Sequence, residues 1–192
     1  MPAETVAGIV AESDRLVSAV HWVREPDRFL EPGDEVDGWR VELLRGHADG
    51  HIVLLRDDVM IAGDTILASI TPAVGLYPNS RPDPLGDYLE SLRRIEELSP
   101  RVAYAGHRDP VEDPAGRARQ IQAHHAERLD RAEAALGRAP RNAYEISLEL
   151  FGDDLSTTLR RFATAESLAH LERLVAERRA ERADGGYVRP GA

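Results

Sequence analysis

The chain has 192 residues, 42% of them hydrophobic and 30% charged, enough for one good core with a small module attached. It has no cysteine, which excludes a disulfide framework and thiolate metal sites and leaves any metal to His, Asp or Glu. A formal net charge of -10, with arginine supplying all the positive charge, argues against general nucleic-acid binding. No apolar run has the length of a membrane span, and the opening MPAETVAGIVAESDRLV carries acids where a signal peptide needs a basic start, so a soluble, cytoplasmic protein is expected.

Ala11 to His21 reads as a weakly amphipathic segment leading into VHWVREPDRFLEPGDEVDGW, where Pro26, Pro32, Gly33 and Gly38 punctuate short extended pieces. The runs WRVELL, HIVLLRD and DVMIAGD, rich in Val, Ile and Leu, predict sheet strands with Asp57-Asp58 as the turn between the last two. Asp83 and Pro84 form an N-cap and first-turn pair. Leu85, Tyr88, Leu89, Leu92, Ile95 and Leu98 then recur at helical spacing until Ser99-Pro100. RVAYAGH predicts another strand, and Arg117 to Leu136 a long charged helix closed by Gly137.

The last third changes character. RNAYEISLELFGDD predicts a short helix broken at Gly152, and LSTTLRRFATAESLAHLERLVAERRA carries helical periodicity. ERADGGYVRPGA predicts a hairpin turning at Asp184, Gly185 and Gly186. Helices followed by a small ribbon suggest a winged-helix module. Gly137 and Pro140 bracket the boundary, which gives an α+β chain with a first domain over 1–137 and a second over 138–192.

Within RGHADGHIVLLRDDVMIAGD, His47 precedes one strand and Asp64 follows the next after a glycine. His107 follows a third after AYAG, so all three fall at one edge of a sheet. Singly, each is an ordinary strand-end residue. Together, a carboxylate between two imidazoles can bridge two metal ions about 3.5–4 Å apart, an arrangement that activates water for hydrolysis.

The segments GHADGHIVLL, MIAGD, ITPAVGLYP with DPLGDYLESLRRI, and YAGHRDP resemble the second half of the metallo-β-lactamase superfamily. The resemblance runs from roughly Pro26 to Arg189. It is closest to the glyoxalase II-like and thioesterase-like subgroup with a C-terminal winged helix, which also includes single-strand RNA nucleases. It implies the second half of an αββα sandwich and a metal-dependent hydrolase of thioesters, esters or phosphodiesters. Its cofactor would be zinc or another divalent metal, with two ions in a complete site. It further implies His47, Asp64 and His107 as metal ligands, with Asp64 bridging, His51 orienting the loop, and Tyr77 in GLYPNSRPDP lining the substrate mouth.

Ala48-Asp49 and Arg108 depart from the family's commonest residues, and nothing in the chain matches the family's HxHxDH motif; the only histidine of residues 1–25 is His21. A catalytic zinc takes three protein ligands and an open position, so each metal here is short of donors, weakly bound or absent. With one sheet of the sandwich missing, the apolar faces of Val41, Leu43, Ile52, Leu54 and Ile61 are expected to lack cover, which favours a homodimer or a complementing chain. A non-catalytic remnant or partner subunit is therefore the alternative to an impaired hydrolase, and a winged-helix nucleic-acid binder is the third reading. His124-His125 reads as a solvated or packing pair and His170 as a surface or boundary residue. Arg160, Arg161, Arg173, Arg178, Arg179 and Arg182, interleaved with glutamates, read as a solvated helix face with intrahelical pairs.

Overall fold

The computed structural model describes residues 2–19 and 24–191. His21 lies outside them. Five strands form one sheet in the order β1 (Glu35–Val36), β2 (Trp39–Leu43), β3 (Ile52–Arg56), β4 (Val59–Gly63) and β5 (Val102–Ala105). The first four pair antiparallel; β4 and β5 pair parallel, because α2 (Pro84–Leu98) carries the chain back across the sheet. Asp57 and Asp58 make the two-residue turn between β3 and β4, with Asp57 in the left-handed region at φ 53°.

This topology positions the site. β2 and β4 each pair antiparallel with β3, so they run the same way, and β5 runs parallel to β4. The carboxyl ends of all three strands therefore reach one edge, where open α/β sheets present their ligand sites.

Alternation sorts the side chains. Val53, Leu55, Met60, Ala62 and Ala103 are buried in the core with Leu85, Tyr88, Leu92 and Ile95 of α2 and Ile121 of α3 (Pro114–Ala134). The opposite face stays open: Ile52 is 37% exposed, Ile61 42% and Tyr104 51%, and Arg56 stacks on the Trp39 ring. Val41 corrects the expectation for that face, since it is fully buried. The preceding loop pairs with its backbone, Gly33 N–H donating to Val41 O and Val41 N–H to Asp34 O, both at 2.8 Å.

Several boundaries shift. A helix, α1, spans Ala3–Ala19 and starts earlier than the amphipathic segment suggests; it lies against the last long helix, where Gly8 approaches Thr157 and Arg161 donates to Ser13. Helix α3 begins at Pro114 because the Asp113 carboxylate accepts from Gly116 N–H at 2.8 Å, and it ends at Ala134, before Gly137. Asp83 caps α2 in the same way, as its sequence indicates.

After α3 come α4 (Ala143–Phe151), with a capping box between Asn142 and Glu145, α5 (Thr157–Ala176), and the ribbon of β6 (Glu181–Ala183) and β7 (Gly186–Val188). Arg141 adds an antiparallel bridge to Tyr187. One apolar cluster runs from Leu44 and Val53 through Ile146 to Leu174 and Tyr187, so the core is continuous across residue 137. Helix α5 touches α1, α2, α3 and α4. That environment overturns two expectations: His170 is fully buried, and Arg160 is 4% exposed, donating to Ser147 Oγ at 3.0 Å and to the Gly152 carbonyl. Other arginines of the tail tie elements together. Arg173 reaches Asp83, and Arg179 reaches Asp130 and Glu133 of α3.

No helix among the described residues is long and apolar enough to cross a membrane.

Candidate functional site

Pairing of β4 with β5 continues to Gly106 N–H, which donates to Gly63 O at 2.8 Å and brings the residues after the two strands side by side. Asp64 and His107 meet there. His107 Nε2 lies 3.2 Å from Asp64 Oδ1. The loop after β2 delivers His47 from the other side, with Nε2 at 3.9 Å from Asp64 Oδ2. One carboxylate thus offers an oxygen to each of two imidazoles.

The backbone beneath is built for this approach. Gly46, at φ 119°, lies so close to Tyr88 that any Cβ would run into the tyrosine's own Cβ and Cα. Tyr88 is wholly buried and its hydroxyl donates to Thr65 O at 2.8 Å, while Ser91 Oγ donates to Arg45 O at 2.8 Å, so α2 holds the loops of both His47 and Asp64. A Cβ at Gly106 would meet Asp64 Oδ1. Only glycine leaves that oxygen room.

His47 Nδ1 bonds to Ala73 O at 2.9 Å. Since a carbonyl only accepts, Nδ1 carries the hydrogen, and in the neutral ring Nε2 turns a lone pair toward the carboxylate. Two acceptors facing each other want a proton or a cation between them. Asp64 Oδ1 is buried without a hydrogen-bond partner, its contact with His107 having ion-pair distance without hydrogen-bond alignment.

Donors about 2.1 Å from a tetrahedral ion sit about 3.4 Å apart, a separation that the 3.2 Å pair meets and that the 3.9 Å pair exceeds by about half an ångström. Neither pair supplies a third donor. Among the described residues, no group of three or more His, Cys, Asp or Glu is gathered closely enough to hold an ion.

His51 stands behind this cluster. Its Nε2 donates to Ala62 O at 3.0 Å, and its ring meets His47 edge-on at 6.0 Å. Asp49, one of the departures in the loop, accepts from Arg81 N–H at 3.2 Å. A cavity of about 330 Å³ opens over His47, Asp64 and His107, and Phe162 of α5 closes one side. Tyr77 does not line it; the ring folds back over Gly75. A larger cavity, of about 480 Å³, lies over the open sheet face between Trp39 and Tyr104. It contains none of the three residues.

Sequence reasoning missed Tyr88, Ser91, Arg117 and Phe162 at this site. Tyr88 and Ser91 share a helix face and were legible only as helix positions. Arg117 donates to the carbonyls of Leu67 at 2.8 Å and Ile70 at 2.9 Å, a contact that no local pattern signals.

A family model described as metallo-β-lactamase superfamily matches residues 10–107, just over half of the chain. The chain belongs to the metallo-β-lactamase superfamily. A second model, the metallo-β-lactamase-like C-terminal domain, matches residues 129–189. Probable metallo-hydrolase YqjP of Bacillus subtilis (strain 168) is 30% identical over 154 residues, which is 75% of this chain and 47% of the relative. Among superfamily structures, the metallo-β-lactamase family protein TTHA1429 of Thermus thermophilus superposes with a TM-score of 0.74 at 39% identity, covering 94% of this chain and 64% of that one. A β-lactamase domain protein from Burkholderia ambifaria gives 0.87 at 30% identity, with coverages of 98% and 58%. The chain spans about half the length of the curated relative and under two thirds of either structure.

Proposed function

We propose that the chain carries the second half of a metal-dependent hydrolase site, in which His47, Asp64 and His107 hold divalent cations and Asp64 bridges them. The observation that carries this reading is the single carboxylate set between two imidazoles, at 3.9 and 3.2 Å, on the shared carboxyl edge of the sheet. Zinc or a similar ion bound there would polarise the scissile carbonyl or phosphoryl group and activate a water. The chain's own residues do the positioning. Ala73 O fixes the His47 tautomer, His51 braces the loop, and α2 holds both loops through Tyr88 and Ser91. Membership of the superfamily and the name of the B. subtilis relative support hydrolysis as the reaction class.

Each cation position has two protein donors where catalytic zinc takes three. That count favours a second reading, in which the chain is an impaired hydrolase or a non-catalytic partner subunit. We assign the open face around Ile52, Ile61 and Tyr104 to contact with a further sheet layer, from a second copy or a complementing chain. Residues 138–192 are read as a winged-helix-like module, supported by α4, α5, the β6–β7 ribbon and the Arg141 bridge.

Elemental analysis of the chain after gel filtration tests the cation reading. Metal should be present in the parent chain and lost in both His47→Ala and Asp64→Ala. Full metal content in either variant would remove the site.

A further inference from the structure

Beyond His47, Asp64, His107 and Thr71, the cavity over the site has a different character. Its remaining walls are Leu67, Ile70, Pro72, Ala73 and Phe162, and no arginine lines it. Phe162 is 38% exposed and Ile70 41%, so both show apolar surface to whatever enters. The Ile70 wall is held from behind by the Arg117 guanidinium, which bonds Leu67 O and Ile70 O. The Phe162 wall rides on α5, with the Arg161 guanidinium 4.8 Å from its ring. Both walls are braced before any ligand arrives.

From this lining we propose that the site takes the apolar acyl group of a small ester or thioester, with Phe162 as a specificity-determining residue. The inference rests on the hydrolytic reading above and narrows it to one substrate class. Acyl chains of a few carbons suit a cavity of about 330 Å³, which is at the small end for ligand pockets. A polynucleotide phosphodiester would bring further phosphates, and the lining offers no cation to meet them. Helix α5 thus contributes a wall of the substrate pocket from beyond residue 137.

The test uses neutral amides as acyl mimics, followed by backbone amide NMR shifts of the full chain in the presence of EDTA. Acetamide, butanamide and hexanamide should bind with rising affinity, since each fully buried methylene is worth about fourfold. At least about tenfold should separate the first from the last, with shifts at Ile70, Ala73 and Phe162. Phe162→Ala should erase most of the chain-length dependence and Phe162→Leu should keep part of it, both without change in the far-ultraviolet spectrum. Equal affinity for all three amides would overturn the proposal, as would an unaltered preference in Phe162→Ala or tighter binding of dimethyl phosphate than of hexanamide. Because EDTA is present, the chain-length preference is independent of metal. Retained metal in His47→Ala would remove the cation site and leave the acyl pocket standing.

Discussion

His125 Nδ1 lies 3.2 Å from His170 Nε2, with both residues fully buried between α3 and α5. His170 Nδ1 donates to Glu166 O at 2.7 Å, so its Nε2 accepts from His125. The remaining nitrogen, His125 Nε2, has no partner. With both rings neutral, only His125 Nε2 is left without a partner, and burial works against a further proton on either ring.

The pair makes stability depend on pH. Burial pushes the His170 pKa down to about 4 and that of His125 to about 2, with neighbouring cationic groups such as Arg128 adding to the effect. Folded values below the unfolded one mean that the unfolded chain binds more protons in acid. The contribution is complete above about pH 6.5 and is lost as pH falls, down to about 4 for His170 and about 2 for His125, at roughly 1.4 kcal/mol per imidazole per pH unit. Urea midpoints at pH 7.5 and 5 should differ by several kcal/mol in stability, and His170→Gln should reduce that difference. Midpoints independent of pH would mean that the rings are not neutral and buried.

Gly46 is expected to be intolerant of a side chain. Alanine there would meet both positive φ and the Tyr88 backbone, and should cost about 3 kcal/mol or more in urea unfolding. Gly50→Ala, with nothing within 4 Å and no positive φ, is the control and should be near neutral. Equal effects would remove the argument from close approach.

The open sheet face should govern self-association. Ile61 is 42% exposed, so Ile61→Asp alters the surface and leaves the core intact. Light scattering after gel filtration should show a parent chain that self-associates and a variant that runs as monomer with an unchanged circular dichroism spectrum. A parent chain that is monomeric at every concentration would exclude the second copy and leave the complementing chain.

Strands, the Asp57-Asp58 turn and the Asp83 cap were legible because they rest on local rules: alternation, turn chemistry and side-chain caps. The order GHADGH, AGD and AGH likewise pointed to His47, Asp64 and His107 before any fold was drawn. Arg160 and His170 were misread because their burial comes from helices packed around α5, which no local pattern encodes. Val41 was misread although the loop that pairs with its backbone, at Gly33 and Asp34, lies just before β2.

The sequence by itself determined the element types, the absence of cysteine chemistry and the residues available to hold a cation, all of which follow from side-chain identity and near-neighbour spacing. Only the tertiary structure decided that a parallel β4–β5 pairing sets Asp64 against His107, that α2 fixes the loop of His47, and that Phe162 reaches the same cavity from α5. Those relations depend on where chain segments cross in space, and no periodicity within a segment encodes them.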